Sequence, residues 1–524
     1  MCITLWEYKH GGMMRLHDLI RLRAEERGGQ LAVVELADTD EVETRLALSY
    51  GQLDLEVDRV AAGAIALGLP IGGRVLVALS NRAEFVSTLF GLMRAGLVPA
   101  LANPRLGAED YARIIEELSP KALIGDDLSM AALRAANGAG LPLISLARET
   151  QVDGVTTWGA FLRDPVADRS REAASDIALI LLTSGSTGRP KAVDMTHQGC
   201  VQHFEDQRPF YGAIYQRTPV TLAATPLFHK NGTGTIKTML TMGGTIVIAP
   251  RFHPRRFLAA VQRHGVTTFT AVATMAMMLL DQKDLIEAGD WSKLDAIMIG
   301  AAPTGRVLLD AMEEAFGARV FHMYGTTEAG ASLGHDPARR YTLDSCGRPL
   351  PGVTVRLVGP DGEEAAHEGE LWVRSPAVAL GYVGRPEETA ARFSDGWYRT
   401  GDILERDAEG FFFFRGRVDD MFVCGGENIY PLEVERVLLK HPGIRSACVV
   451  AVPHRLKGQV PVAMIEAEPS LDEAAVKQWA IANGPAYAHP RQVWVEEALP
   501  IAPTGKIDRR AVHAMALARM EESA

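Results

Sequence analysis

From about residue 72 to residue 330, the chain alternates short apolar runs with segments of helical periodicity, and this alternation constrains the fold more than any other feature. Arg74–Leu79 predicts a strand, Ala83–Ala95 a helix and Leu97–Leu101 a second strand. Further strands are predicted at Ile177–Thr183, Gly244–Ala249, Val266–Val272, Leu294–Ile299 and Ala318–Met323, and further helices at Phe257–Arg263, Ala276–Gln282 and Arg306–Phe316. Strands that alternate with helices are typical of parallel α/β sheets.

The pattern changes after about residue 340, where short strands separated by turn residues predict a small β-rich subdomain. Phe411–Arg417 ends that region, and a compact α+β stretch follows. In that stretch Pro431–Lys440 predicts a helix and Ala447–Val452 a strand, while the capping-box spacing of Ser470 and Glu473 predicts another helix start. We therefore expect a domain boundary near Arg417–Asp419.

Composition agrees with a soluble protein of more than one domain, because 524 residues exceed the usual size of one. Apolar residues make up 47% and charged residues 23%, and the longest apolar runs fall short of a membrane span. A net charge of −11 argues against nucleic acid as a partner. The N-terminus lacks signal-peptide features, and residues 1–14 are expected to be an extension. The five scattered cysteines, Cys2, Cys200, Cys346, Cys424 and Cys448, indicate reduced thiols and a cytoplasmic protein.

The most informative segment is the glycine-rich run Thr183–Lys191, TSGSTGRPK, which follows the apolar strand predicted at Ile177–Thr183. Glycines and small hydroxyl residues let backbone N–H groups converge on phosphate oxygens, and Lys191 adds a cation. The run is not a Walker A loop, because Pro190 and Ala192 stand where that pattern needs glycine and a hydroxyl residue. The alternative is a solvated linker rich in turn formers.

This run resembles the phosphate-loop signature of the adenylate-forming (AMP-binding) superfamily, which includes acyl-CoA synthetases, luciferases and peptide-synthetase adenylation domains. Segments that resemble the superfamily's other motifs follow in the same order, from about residue 45 to residue 512: Pro226–Gly232, Gly300–Pro303, Tyr324–Glu328, Trp397–Asp402, Gly416–Asp420 and Pro503–Arg509. The resemblance is to the acyl-CoA synthetase and aryl-CoA ligase branch. It implies an adenylation domain over residues 15–416, with the β-rich subdomain at 340–416, and a mobile C-terminal domain over residues 417–524.

The resemblance also implies a nucleotide site. In that reading Tyr324 offers a flat face to the purine, Asp402 accepts the ribose hydroxyls and Arg417 serves ribose and phosphates. Glu328 is a hard oxygen ligand for Mg²⁺ and Thr327 a donor to the α-phosphate. The residues assigned to ATP or AMP are Thr183, Ser184, Gly185, Ser186, Thr187, Gly188, Lys191, Gly300, Ala301, Ala302, Pro303, Tyr324, Gly325, Thr326, Asp402 and Arg417.

Catalysis is assigned by the resemblance to Lys506, His229, Thr327 and Glu328. Lys506, in Pro-Thr-Gly-Lys, would bridge the carboxylate and the α-phosphate, and the alternative is a solvated charge in the C-terminal region. His229 ends the strand-like run Thr221–Phe228, where a core histidine is the alternative. Members of the superfamily rotate the C-terminal domain between two half-reactions, which makes Asp419 the hinge. Gly425 and Gly426 would then border the tunnel of the pantetheine thiol.

The candidates for the acyl pocket are Phe228, Lys230, Met275, Met323, Ala329 and Ala331. Lys230 either meets a polar or acidic substituent of the acid or points to solvent. Two positions depart from the pattern of many relatives, since Val423 and Ala488 stand where basic residues are common. These departures concern the CoA site, where Arg455, Lys457 and Arg491 are the remaining cations.

The sequence thus predicts an α/β enzyme that forms acyl-AMP and pyrophosphate from ATP and a carboxylic acid, and then acyl-CoA and AMP. ATP, Mg²⁺ and coenzyme A are implied, and a homodimer is allowed. The alternatives are transfer of the acyl group to another acceptor, a luciferase-like oxygenase and a non-catalytic acyl-nucleotide-binding protein. The short, medium-chain, aryl and hydroxy acids all stay open.

Overall fold

The computed structural model describes residues 12–146, 153–166, 170–172, 175–184, 190–300, 306–338, 345–467, 471–501 and 507–522. The strands in these ranges are, in chain order, β1 (Leu31–Leu36), β2 (Thr44–Ser49), β3 (Arg74–Ala78), β4 (Val98–Leu101), β5 (Ala122–Gly125), β6 (Leu143–Ser145), β7 (Val155–Thr157), β8 (Ile177–Ser184), β9 (Pro190–Thr196), β10 (Val220–Ala223), β11 (Thr245–Ile248), β12 (Thr268–Ala271), β13 (Ala296–Gly300), β14 (Arg319–Thr326), β15 (Gly330–Gly334), β16 (Arg348–Pro349), β17 (Thr354–Val358), β18 (Glu368–Arg374), β19 (Phe393–Ser394), β20 (Trp397–Arg406), β21 (Phe412–Arg417), β22 (Phe422–Cys424), β23 (Glu427–Ile429), β24 (Ile444–His454), β25 (Gly458–Ala467) and β26 (Val493–Glu496).

The helices in the same ranges are α1 (Asp18–Arg27), α2 (Tyr50–Ala66), α3 (Ala83–Arg94), α4 (Ala108–Leu118), α5 (Met130–Ala136), α6 (Trp158–Phe161), α7 (His197–Ile214), α8 (Lys230–Met242), α9 (Pro254–Arg263), α10 (Ala273–Leu280), α11 (Lys283–Ala288), α12 (Arg306–Phe316), α13 (Pro386–Arg392), α14 (Pro431–Leu439), α15 (Glu473–Asn483) and α16 (Arg509–Glu522). Among the helices of the described ranges, none combines the length and apolarity needed to cross a bilayer.

Two large sheets carry the alternating region. A 7-stranded sheet has the order β7-β6-β5-β3-β4-β8-β9 and is parallel up to β8, while β9 pairs with β8 as an antiparallel hairpin. A 9-stranded sheet has the order β16-β15-β14-β13-β12-β10-β11-β1-β2, with parallel strands in the middle and antiparallel strands at both edges. The fold is therefore α/β with layered sheets in a large N-terminal domain, as predicted, and the alternating region divides between two of these sheets.

Two smaller sheets follow in the chain. One, of 5 strands, has the order β17-β18-β20-β19 with β21 paired to β20, and it forms the predicted β-rich subdomain. The other, also of 5 strands, contains β22 to β26 and packs with α14, α15 and α16 around its own core. The small C-terminal region is thus built as an α+β unit, with the change of core between β21 and β22.

The start of the described chain belongs to the main body. Met14, Leu16, Leu19 and Ile20 are buried in the same core as β3 and α3, whereas Met13 is exposed. The helix α1 follows, and its residues from Asp18 to Arg23 are buried. Met14 thus corrects the upper end of the extension predicted for residues 1–14, because its side chain is part of the core.

Two local predictions were wrong. The run Thr221–Phe228 is a strand only as far as Ala223, because Pro226 lacks an N–H and the side chain of Asn81 pairs with the backbone instead. Asn81 donates to the carbonyl oxygen of Thr225 at 3.0 Å and accepts the N–H of Leu227 at 2.9 Å. The cap of α15 is Asp472, whose carboxylate accepts the N–H of Ala475 at 2.7 Å, and the predicted cap Ser470 lies outside the described residues.

Candidate active site

Three of the predicted nucleotide-site residues lie together at the junction of β14, β20 and β21. The hydroxyl of Tyr324 donates to Oδ2 of Asp402 at 2.6 Å, and Nη1 of Arg417 donates to Oδ1 of the same carboxylate at 2.6 Å. Burial, followed by the charge of Asp402, raises the pKa of Tyr324 well above its ordinary value. Tyr324 therefore remains a neutral donor at physiological pH.

The position of Asp402 follows from strand register. Asp402 in β20 pairs directly with Arg417 in β21, which places the carboxylate and the guanidinium side by side. The preceding Gly401 has φ of +73°, and a Cβ there would lie 2.6 Å from Nη1 of Arg392 and 3.3 Å from Nη2 of Arg417. Glycine is therefore required for the arginines to reach this edge of the sheet.

A second cluster joins Glu328, Lys191 and a tyrosine that the sequence analysis did not identify. The hydroxyl of Tyr382 donates to Oε1 of Glu328 at 3.1 Å. Lys191 Nζ lies 4.9 Å from the centroid of the Tyr382 ring and 2.5 Å from Oε2 of Glu388. The hydrogen bond from Lys191 is the main cause of the lowered pKa of Glu388. Tyr382 thus connects the lysine of the glycine-rich hairpin to the predicted Mg²⁺ ligand.

The turn between β14 and β15 contains the end of the motif Tyr324–Glu328. A Cβ at Gly325 would lie 2.4 Å from the carbonyl oxygen of Gly330, so this position admits only glycine without movement of the strands. Oγ1 of Thr326 accepts the N–H of Ala329 at 3.1 Å and closes the turn. Thr327 and Glu328 lie within this turn, and Glu328 is buried.

His229 and Lys230 lie where α8 begins, at the carboxyl end of β10. His229 is the N-cap of the helix, and its ring lies 4.5 Å from the Phe228 ring, centroid to centroid. Lys230 does not point to solvent: it is half-buried, and Nζ donates to the carbonyl oxygen of Thr326 at 3.0 Å. The first residues of α8 therefore contact the β14–β15 turn.

The other acyl-pocket candidates occupy different cores. Phe228, Met323 and Ala331 belong to or pack against the core shared by α7 and α8. Met275 lies in the core on the other side of the 9-stranded sheet, and Ala329 is fully buried in the core of the β-rich subdomain. The structure thus groups three of the candidates near Lys230 and assigns core packing to Met275 and Ala329.

Several predicted residues lie outside the described residues, and their roles stay predictions. These are Gly185, Ser186, Thr187, Gly188, Ala301, Ala302, Pro303 and Lys506. Their flanks are described: Thr183 and the backbone of Ser184 end β8, and Gly300 ends β13. Both strands end just before these predicted residues, and the carboxyl ends of strands are where parallel α/β sheets bind ligands.

The predicted hinge residue lies between the two cores in sequence, and the predicted tunnel residues lie in the C-terminal sheet. Asp419 Oδ2 accepts Nη2 of Arg392 at 3.1 Å and lies 3.7 Å from Nη2 of Arg417. Gly425 and Gly426 form the turn of the β22–β23 hairpin with φ of +61° and +98°, as a type I′ turn requires at both positions. Val423 is exposed, while Ala488 is buried in the C-terminal core.

An α/β body with a tyrosine–aspartate–arginine cluster at its strand ends, followed by a small separate domain, is the arrangement that the resemblance to adenylate-forming enzymes implies. The chain belongs to the AMP-binding enzyme family: the sequence model of that family matches residues 20–383, and the model of the AMP-binding enzyme C-terminal domain matches residues 433–506. This confirms the resemblance inferred from the motifs, including the acyl-CoA ligase branch.

Relatives with assigned names agree. The chain is 32% identical to a feruloyl-CoA synthase from Amycolatopsis sp., over 88% of this chain and 92% of that protein. It is 30% identical to 4-coumarate–CoA ligase-like 9 from Oryza sativa subsp. japonica, over 96% and 92%. Among solved structures, the amide bond synthetase McbA from Marinactinospora thermotolerans is similar, with a TM-score of 0.83, 26% identity and coverage of 95% of this chain and 99% of that one.

Sequence reasoning missed Tyr382, Glu388 and two buried polar residues of the helices, His203 and Lys237. Tyr382 and Glu388 lie in a loop and a helix outside the motifs that carried the resemblance. For His203 the signal was present, since His197, Cys200, His203 and Gln207 recur with helical spacing along one face of α7. All four are buried.

Proposed function

We propose that the protein is a carboxylate–CoA ligase. It forms acyl-AMP and pyrophosphate from ATP and a carboxylic acid, and then acyl-CoA and AMP, as an ATP-dependent, AMP-forming acid–thiol ligase. The observation that carries the proposal is the Tyr324–Asp402–Arg417 cluster, in a chain that matches the models of both domains of the family. One similar solved structure, 26% identical, is an amide bond synthetase. The acceptor of the acyl group in the second half-reaction is therefore the point to test.

The nucleotide is held by groups that already have fixed orientations. Asp402 accepts hydrogen bonds from Tyr324 at Oδ2 and from Arg417 at Oδ1, and its carboxylate is the acceptor that we propose for the ribose hydroxyls. Tyr324 and Arg417 thereby hold the carboxylate in place before the nucleotide binds. Such preorganisation lowers the cost of ordering the site during binding.

Glu328 fits the role of a Mg²⁺ ligand. Its carboxylate is buried, Tyr382 donates to one oxygen, and Mg²⁺ in nucleotide sites commonly binds through one or two carboxylates plus substrate phosphates. When bound, the ion would neutralise phosphate charge during displacement of pyrophosphate. Lys191 contributes a cation beside Tyr382, and it must exchange Glu388 for a phosphate oxygen to do so.

The two half-reactions require the C-terminal domain to move. We assign Asp419 as the hinge, Lys506 to acyl-AMP formation, and the Gly425–Gly426 turn to the passage of the thiol. The separate core of residues 422–516 supports movement of this domain as a unit. Arg455, Lys457 and Arg491 are the cations proposed for the phosphates of CoA.

A second candidate function is transfer of the acyl group from acyl-AMP to an amine or to another acceptor. Two observations favour it: the similarity to an amide bond synthetase, and the absence of a cation at positions 423 and 488. Ala488 is buried, so a basic residue at this position would also need a different local packing.

A panel of carboxylic acids with ATP and CoA tests the proposal, with pyrophosphate and thioester measured separately. We expect equal amounts of the two products for the true substrate. Pyrophosphate without thioester would favour the second candidate, and adding amines in place of CoA would then identify the acceptor.

Replacing Lys506 separates the half-reactions. Lys506→Ala should abolish acyl-AMP formation, because no other group would bridge the carboxylate and the α-phosphate, and should spare thioester formation from supplied acyl-AMP. Lys440→Ala, an exposed lysine of the same domain, is the matched control. Equal rates of pyrophosphate release by Lys506→Ala and the wild type would contradict the assignment.

The location and the oligomeric state of the protein complete the proposal. A cytoplasmic location is supported by Cys200, Cys346, Cys424 and Cys448, which are free and buried. A homodimer is tested by light scattering on the full chain, where the mass measured should be twice that of one chain.

A further inference from the structure

Two lysines share one face of α8, in the core where this helix meets α7. Lys230 and Lys237 are about two helical turns apart. Lys237 is only 2% exposed, and Nζ lies 3.8 Å from Sγ of Cys200 and 5.4 Å from the centroid of the Phe204 ring. A thiol is a weak acceptor, so these contacts satisfy the ammonium group poorly.

Neither lysine has an ion-pair partner within 4.0 Å in the part of the chain that the structure describes. The charge of Glu328 acts on Lys230 electrostatically, and the Glu328 carboxylate accepts a hydrogen bond from Tyr382. Burial, then the charge of Lys237, lowers the pKa of Lys230 to about 7. A buried cation without a counter-ion is costly, so the arrangement favours binding of an anion.

His203 completes the cluster from α7. It is 2% exposed, and neither ring nitrogen has a hydrogen-bond partner among the described residues. Its ring lies against the β14–β15 turn: a Cβ at Gly330 would be 2.8 Å from Cε1 and Nε2 of His203. Burial, followed by the charges of Lys230 and Lys237, lowers the pKa of His203 to about 3. The ring is therefore neutral, with one nitrogen available as a donor.

This cluster borders the acyl-pocket candidates. Lys230 contacts Thr326 at the turn, and Ala331 accepts a hydrogen bond from the side chain of Gln207, one turn after His203 on α7. Phe228 immediately precedes the N-cap of α8. The polar groups therefore lie beside the β14–β15 turn and the start of β15.

We propose that Lys230, Lys237 and His203 bind a second carboxylate of the substrate, so that the enzyme activates one end of a dicarboxylic acid. This inference rests on the proposed function and specifies its substrate class. Two ammonium groups and an imidazole donor supply the hydrogen bonds that an ionised carboxylate needs in a buried site. The same groups repel an amino substituent, which disfavours amino acids.

The chemistry at the reacting end is unchanged. An oxygen of the first carboxylate forms a bond to the α-phosphorus of ATP as the bond to the pyrophosphate oxygen breaks. In the second step the thiol sulfur attacks the acyl carbon, AMP leaves, and the thiol proton is released. The second carboxylate stays ionised throughout. It contributes binding energy and fixes the position of the substrate in the site.

The test compares acids that differ only in the remote group. Malonate, succinate, glutarate, adipate and terephthalate are each assayed beside their monomethyl esters and the monocarboxylic acids of matching length, by pyrophosphate release. We expect one diacid to exceed its monoester in kcat/KM by about 100-fold, as is typical of a buried charge pair. Lys237→Met should remove most of that preference while turnover of the monoester persists.

Matched variants separate the charge from the fold. Lys237→Arg keeps the charge and should retain part of the preference, and Lys283→Met removes a charge from an exposed helix and should retain all of it. Thermal unfolding of each variant verifies that it is folded. If a variant is unfolded, the substrate series on the wild type still tests whether the enzyme prefers a diacid.

The outcomes distinguish the two proposals. Monocarboxylic acids or monoesters that are turned over as well as every diacid would overturn the inference and leave the ligase function intact. Absence of pyrophosphate with all acids would overturn both. A diacid preference that Lys237→Met leaves unchanged would also overturn the inference, because the selectivity would then come from other residues.

Discussion

At the scale of single residues, the buried His203 predicts that the free energy of unfolding decreases in acid. The groups that act on it are Lys230 and Lys237, and burial is the largest cause of its lowered pKa. In the unfolded chain a histidine binds a proton near pH 6.5, whereas folded His203 stays neutral down to about pH 3. The unfolded state therefore binds more protons in this window, and stability falls as pH falls through it.

His203→Gln should reduce that loss. Between pH 7.5 and pH 5, the unfolding free energy of the wild type should fall by up to about 2 kcal/mol more than that of the variant, by proton linkage. Urea unfolding at the two pH values measures it. His253→Gln, which removes an exposed histidine, is the control and should behave as the wild type does. Parallel losses in wild type and His203→Gln would contradict a neutral buried imidazole.

The residues of the nucleotide site could be predicted where a motif fixes both identity and strand register. Tyr324, Asp402 and Arg417 are assigned by resemblance, and the structure places the Tyr324 hydroxyl and Nη1 of Arg417 each 2.6 Å from an oxygen of Asp402. Tyr382 and His203 could not be predicted in the same way. The position of Tyr382 depends on how a loop packs across sheets, and such a contact leaves no local spacing in the sequence. The helical spacing that includes His203 indicates a buried face of α7 but not the lysines that this face meets.

At the scale of elements, the β14–β15 turn depends on Gly325. A Cβ there would lie 2.4 Å from the oxygen of Gly330 and 2.8 Å from Cα of Ala331, so Gly325→Ala must separate the two strands. We expect it to destabilise the protein by about 1–3 kcal/mol, as overpacking commonly does, and to raise KM for ATP, since Tyr324 and Thr326 flank the site.

Gly212→Ala on α7 is the matched control for that prediction. A Cβ at 212 meets nothing within 4 Å, so alanine should stabilise the helix by about 0.5–1 kcal/mol. Denaturant unfolding and ATP titrations measure both variants. Unchanged stability and KM in Gly325→Ala would show that the turn accommodates a side chain.

Elements were predictable to the extent that periodicity is local. Helix α12 has the predicted bounds, Arg306–Phe316, and β3 and α3 differ from prediction by one residue at one end. The error at Thr221–Phe228 has a non-local cause. Asn81, far away in sequence, supplies the hydrogen bonds that a strand partner would otherwise provide.

At the scale of the whole molecule, alternation of strands and helices predicted α/β sheets but not the division of the strands between them. That division depends on which strands are neighbours. β4 pairs with β8, although three strands and three helices lie between them in the sequence, and β1 pairs with β11. Sequence periodicity identifies strands without specifying their partners. The motifs did place the change of core correctly near residue 420, because two of them flank it.

The movement proposed between the two cores concentrates in one residue and can be tested there. Asp419→Pro fixes φ at position 419 and restricts Val418, so it should hold the C-terminal domain nearer one orientation. Asp419→Ala removes the same contacts with Arg392 and Arg417 but leaves φ free. We expect the proline variant to slow one half-reaction at least 10-fold more than the other, an assumed margin equal to about 1.4 kcal/mol, and the alanine variant to slow both equally. Single-turnover measurements of acyl-AMP formation, and of thioester formation from supplied acyl-AMP, separate the two. If proline and alanine affect both half-reactions alike, the backbone at Asp419 does not act as the hinge, and the domain must turn about another residue.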